Sequence, residues 1–137
     1  MVAADNTNPS KTHKNSGSEK RGVTFLRSTQ SDCHVQRALQ IIETRRKRNE
    51  AFSPHELFAD PAWDIMLHVF VASERNRQIS IKCACIASMV PASTAQRVIS
   101  KLVDARLIKR TKDPQDTRRS FITLEPHARL LLEHILV

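Results

Sequence analysis

Residues 23 to 137 of this chain contain no glycine; the only two glycines are Gly17 and Gly22. Glycine is the residue that adopts positive φ without a steric penalty and lets backbone approach a ligand closely. Its absence excludes the Gly-rich phosphate cradles of Walker or dinucleotide-binding sites. It also argues against a hairpin-rich all-β fold, whose tight turns favour Asn-Gly or Asp-Gly. For 137 residues, 40% of them apolar, the remaining expectation is one mainly helical domain with a modest core.

Other classes fall away on motif grounds. No apolar run approaches the roughly 20 residues needed to span a bilayer. The N-terminus lacks the hydrophobic stretch of a secretory signal, so the expected location is the cytoplasm, with no membrane partner. Cys33, Cys83 and Cys85 are an odd number, and a reducing compartment does not favour a disulfide framework. Cys83 and Cys85 are too close together for the Cys-x-x-Cys of a zinc knuckle. They read as buried thiols or bystanders rather than redox switches. The six histidines are scattered without His-Glu-x-x-His spacing. His68, on a core-facing helix, reads as a packed side chain and not a ligand. No Gly-x-Ser-x-Gly elbow or local catalytic signature occurs. The chain is therefore not expected to be an enzyme or to carry a metal or cofactor.

The net charge is +8, and most of the excess sits in residues 79–119, which hold nine Lys/Arg and three Asp/Glu. A localised basic excess is the electrostatic footprint of a polyanion binder, although a solvated surface gives the same count.

Residues 1–30 are rich in Asn, Ser, Thr and Lys and are expected to form a disordered basic tail. The domain then occupies residues 31–137. Ser31 or Asp32 is a candidate N-cap for a long first helix over residues 32–52. Val35, Ala38, Leu39 and Ile42 give that helix one apolar face, and the run Arg45-Arg46-Lys47-Arg48 reads mainly as solvated surface. Ser53-Pro54 marks a break. Asp60-Pro61 is an N-cap followed by proline at the first helical position, opening a helix that ends near Asn76. Ile79-Ser80-Ile81 is at most a strand stub. Two short helices joined at Val90-Pro91 follow, a helix-turn-helix over about residues 82–105. The second helix buries Ala95, Val98, Ile99 and Leu102 and turns a polar, basic face outward. Two strands within about residues 107–124 enclose a charged turn, and a last helix occupies residues 125–137. The fold class is mainly α with a small β-hairpin wing: a winged helix-turn-helix preceded by a long N-terminal helix.

The wing, Asp113-Pro114-Gln115-Asp116-Thr117-Arg118-Arg119, continues into Ser120-Phe121-Ile122-Thr123-Leu124-Glu125-Pro126. It is similar to the D-x-x-D-x-R-R wing, returning strand and helix start of the MarR family of bacterial transcription regulators. Val90-Pro91-Ala92-Ser93-Thr94-Ala95 is similar to the opening of that family's recognition helix. The resemblance covers about residues 57–136. Arg106 and Ala128 stand where the family often has glycine. The resemblance implies a homodimer on duplex DNA, with the first helix supplying much of the dimer contact. It further implies a crevice for a small-molecule effector, which Trp63, Met66, Phe52 and Phe58 would line unless they are plain core.

On this reading Ser93, Thr94, Gln96 and Arg97 face base edges in the major groove. Arg97 suits guanine and Gln96 suits adenine. Ser100 and Lys101, further along, are expected on phosphate. Arg118 matches the family arginine that enters the minor groove, with Asp116 orienting it by an ion pair, while Lys112 and Arg119 supply phosphate contacts. Two alternatives stand beside the DNA-binding regulator. One is a winged-helix module that binds another protein and touches DNA weakly or not at all. The other is an RNA binder, disfavoured by the lack of aromatic stacking residues near the basic face.

Overall fold

The computed structural model describes residues 18–52 and 56–137, with side chains from Thr29 onward apart from Glu56. Helix α1 (Ser18–Ala51) is followed by a 3-10 turn (Glu56–Phe58), α2 (Pro61–Glu74), β1 (Ile79–Ser80), α3 (Ile81–Ala87) and α4 (Ala92–Asp104). Strands β2 (Ile108–Lys112) and β3 (Ser120–Leu124) and helix α5 (Pro126–Ile135) complete the domain. Helices with a small antiparallel sheet make the winged helix-turn-helix architecture expected from the sequence.

Helix α1 corrects one expectation. It begins at Ser18, so Ser31 and Asp32 lie inside it rather than capping it, and residues 18–30 belong to helix, not tail. Residues 1–17 of the expected tail, and the Ser53-Pro54 break, lie outside the described residues. The physical reason is that helix propagation needs no apolar stripe. Once nucleated, each further residue adds one hydrogen bond, and no proline stands between Pro9 and Pro54 to end the ladder.

Helix α2 is the hub. Ile65, Leu67, Val69 and Phe70 are fully buried, and the apolar surface runs almost round the helix, the pattern of an element enclosed by its neighbours. Val35 and Ala38 of α1, Ala95, Ile99 and Leu102 of α4, Ile108 and Ile122 of the sheet, and Ala128, Leu132 and Leu136 near the C-terminus close over it. Asp60 caps α2 as its sequence suggests: its side chain accepts the Trp63 N–H at 3.3 Å, and Pro61 opens the helix.

The sheet has three strands in the order β1-β3-β2, all antiparallel. The stub Ile79–Ser80 adds to the wing hairpin by pairing with Ile122 and Phe121. Ser80 then caps α3, its hydroxyl accepting the Cys83 N–H at 3.1 Å.

Three chain reversals need left-handed backbone, and the chain makes them without glycine: φ is 53° at Asn76, 57° at Met89 and 58° at Arg106. At the end of α2, Arg77 N–H bonds the Ala72 carbonyl and Asn76 N–H the Ser73 carbonyl. At the end of α4, Leu107 N–H bonds the Leu102 carbonyl and Arg106 N–H the Val103 carbonyl. Both are Schellman motifs, with Asn76 and Arg106 in the position that usually takes glycine.

Candidate nucleic-acid interface

Helix α4 has 13 residues, a length of about 20 Å. Ala95, Ile99 and Leu102 are buried against the body, whereas Ser93, Thr94, Gln96, Arg97, Ser100 and Lys101 are all exposed. At 100° per residue these six side chains occupy an arc of roughly 160°. The helix therefore presents one continuous polar and basic face, as its sequence pattern predicts.

The turn that aims α4 is held from within. Ser88 is fully buried; its hydroxyl donates to the Cys85 carbonyl and accepts the Val90 N–H at 3.5 Å. Met89 takes the left-handed conformation, and its sulfur accepts a hydrogen bond from Asn49 Nδ2 at 3.5 Å. The C-terminal end of α1 thus touches the helix-turn-helix directly.

The wing loop is ordered by its aspartates. Asp113 Oδ1 accepts the Gln115 N–H at 2.8 Å, and Asp116 Oδ1 accepts the Arg118 N–H at 3.0 Å. These are Asx turns, in which a short carboxylate side chain caps the backbone two residues on. The Arg119 N–H bonds the Asp116 carbonyl, and the Asp113 N–H bonds the Arg119 carbonyl across the loop. The expected Asp116–Arg118 ion pair is not formed: Asp116 orients Arg118 through its backbone, leaving the guanidinium exposed and free of protein partners. The spacing of two residues suits an Asx turn better than a side-chain pair, because the carboxylate reaches the near N–H first. The Arg119 guanidinium lies 4.9 Å from the centre of the Phe121 ring. Lys112 is exposed at the end of β2.

The wing and α4 face one groove. Ser80, Lys82, Cys83 and Ile86 line one side, Ala92 and Gln96 a second, and Asp116, Arg118, Arg119 and Ser120 the third. Of the expected contact residues, Gln96, Arg118, Arg119 and Asp116 meet in it. Lys82 also lines the groove; its place in the basic stretch at the start of the helix-turn-helix was the available signal.

The basic run on α1 has another role. Arg45 is paired with buried Asp64, its Nη2 donating to Asp64 Oδ2 at 3.0 Å. Arg46 pairs with Glu43 and Glu50. The hydrogen bond from Arg46 holds the Glu43 carboxyl below its usual range. Arg48 donates to the Phe58 carbonyl at 2.6 Å. Reading the run as solvated surface is therefore corrected for Arg45 and Arg48. Neither was visible from helical spacing, which registers a face but not its partner.

The proposed effector crevice is also redrawn. Trp63 and Met66 line an apolar groove with Leu102, Leu107, Leu131 and Ile135. Phe52 and Phe58 pack on each other instead, ring centres 5.2 Å apart and planes tilted by 37°. Among the described residues no group of three or more His, Cys, Asp or Glu is placed to hold a metal, and no helix is long and apolar enough to cross a membrane.

A buried α2 hub, a tight helix-turn-helix and an antiparallel wing beside the second helix together define a winged helix-turn-helix protein. No protein-family model and no curated protein matches the sequence. Among solved structures the chain is similar to MepR of S. aureus in its DNA-binding conformation, with TM-score 0.50 and 17% identity, over 85% of this chain and 70% of that one. It is also similar to BpsR of Bordetella bronchiseptica (TM-score 0.47, 21% identity, 90% and 76% of the two chains). A mutant MarR from E. coli complexed with operator DNA gives TM-score 0.47 and 19% identity over 73% and 69%. The fold is MarR-like.

Proposed function

We propose that this chain is a sequence-specific duplex-DNA-binding transcriptional regulator of MarR type that acts as a homodimer. The observation that carries this reading is the shared groove, in which Gln96 of the second helix and Arg118 and Arg119 of the wing converge. A helix-turn-helix places the N-terminal turns of its second helix on base edges, where Ser93, Thr94, Gln96 and Arg97 stand. Gln96 suits adenine and Arg97 guanine. Ser100, Lys101, Lys112 and Arg119 take phosphates, fixing register without reading sequence. Arg118, freed by the Asx turn beneath it, enters a narrow A·T-rich minor groove, where negative potential is concentrated. The likeness in fold to a protein crystallised in a DNA-binding conformation is consistent with this reading.

Exposed Leu130, Leu131 and Ile135 on α5 supply apolar surface for the homodimer contact. Glu74 joins Ser31 of α1 to Arg129 of α5, so α1 and α5 are linked through α2. On this reading α5 adds to the dimer contact expected of the N-terminal helix. The Trp63–Met66 groove is the place for an apolar effector. Half-sites would lie about 10 base pairs apart.

The test is fluorescence anisotropy with a random duplex pool across a salt series, for wild type and Arg118→Ala. Steep salt dependence for wild type, with a slope shallower by about 1 for the variant, supports the reading. Weak, flat binding by both overturns it and directs attention to a protein partner. Competition by single-stranded RNA in preference to duplex DNA also overturns it.

A further inference from the structure

We propose that Ile86, together with Ala92, reads the methyl group of a thymine, making α3 a specificity element alongside the recognition helix. This rests on the duplex-DNA reading of the same groove. Helix α3 buries Ala84 and Cys85 and turns Lys82, Cys83 and Ile86 outward. Ile86 is 72% exposed. Among the described residues it is the one exposed large apolar side chain that lines the groove; the others, Met89 in the turn included, lie outside it.

Ile86 and the exposed Ala92 form an apolar spot inside a cationic frame of Lys82, Arg118 and Arg119. The occupant that fits is a small apolar group carried on a polyanion. On base edges in the major groove that description selects the C5-methyl of thymine, which distinguishes T from the other bases. Gln96 lines the same groove, and a carboxamide pairs with adenine N6 and N7. Gln96 on adenine and Ile86 with Ala92 on thymine would together read one A·T pair or two neighbouring ones.

The test begins with a duplex selected by the wild-type protein from a random pool. Deoxyuridine, which lacks only the methyl, then replaces thymidine one position at a time. Burying one methyl corresponds to about a fourfold change in affinity. Wild type is expected to lose about fourfold at one thymine per half-site, and Ile86→Ala to be indifferent to the same replacement. Ile86→Val, which keeps a branched apolar side chain, should remain sensitive. Thermal unfolding of Ile86→Ala should match wild type because the side chain is exposed. Full wild-type affinity for every uracil-substituted duplex overturns the inference while leaving the DNA reading standing, as does unchanged sensitivity in Ile86→Ala. Failure of wild type to enrich any duplex overturns both.

Discussion

Replacing Asp64 by alanine should destabilise the fold far more than the loss of an ordinary surface ion pair. Asp64 is 1% exposed on α2, and the side chain of Arg45 on α1 is 11% exposed. The guanidinium meets the carboxylate through two nitrogens and reaches the Asp60 carbonyl at 3.4 Å. The Asp64 hydrogen bond raises the pKa of Arg45 above its already high value, so the guanidinium stays charged. In Asp64→Ala that charge is left desolvated and unpaired, which costs about 3–5 kcal/mol; an exposed pair is worth about 0–1 kcal/mol. Removing both charges in Arg45→Met/Asp64→Leu leaves no orphan and should recover most of the loss. Urea unfolding followed by far-UV circular dichroism measures this, with the midpoint falling at unchanged slope. A loss under about 1 kcal/mol for Asp64→Ala would refute the reasoning. So would a double variant as unstable as the two single variants summed.

Arg106→Gly should gain up to about 1 kcal/mol in the same assay. Left-handed backbone costs a non-glycine residue about 1–2 kcal/mol, partly offset by the greater chain entropy of glycine; Arg106→Ala, which keeps a Cβ, should show no such gain. Maleimide should label exposed Cys33 and Cys83 in the folded protein and buried Cys85 only on unfolding. Burial pushes the Cys85 thiol up, so above the ordinary thiol pKa of about 8.5 the folded state holds more protons than the unfolded one. Stability therefore falls as pH rises through that range, and Cys85→Ala should flatten the fall, as read from urea midpoints across the pH series.

Much of the domain was legible because local chemistry and tertiary position agree. Asp60-Pro61 states both a cap and a first turn, and the structure uses both. The outward face of α4 follows from period alone, since Ala95, Ile99 and Leu102 have one place to go. The glycine gap was informative in a second way. A helix that must turn back sharply still needs positive φ; Asn76 could be picked out because asparagine tolerates it, and Arg106 only through the resemblance, since it stands where the MarR family often has glycine. Met89 could not, because nothing local to a methionine favours that conformation. Its φ is 57°, in a turn where the buried Ser88 hydroxyl accepts the Val90 N–H.

What the sequence concealed were pairings between elements far apart in the chain. Arg45, Arg46, Lys47 and Arg48 are alike in composition, yet they face different surroundings. Arg45 closes on a carboxylate in α2, Arg46 pairs with Glu43 and Glu50 along its own helix, and Arg48 caps the Phe58 carbonyl. One residue further on, Asn49 touches Met89 in the turn between α3 and α4. A charge run on a helix therefore holds two kinds of residue: those that hydrate a face, and those that fix the helix to the body. A partner on another element separates them, and that partner is never within the periodic window that reveals the helix. The same limit hid the role of Asp116, whose charge suggested an ion pair, whereas its reach selected the backbone N–H two residues on. In both places the sequence showed which atoms were available, and the geometry of the folded chain decided which of them met.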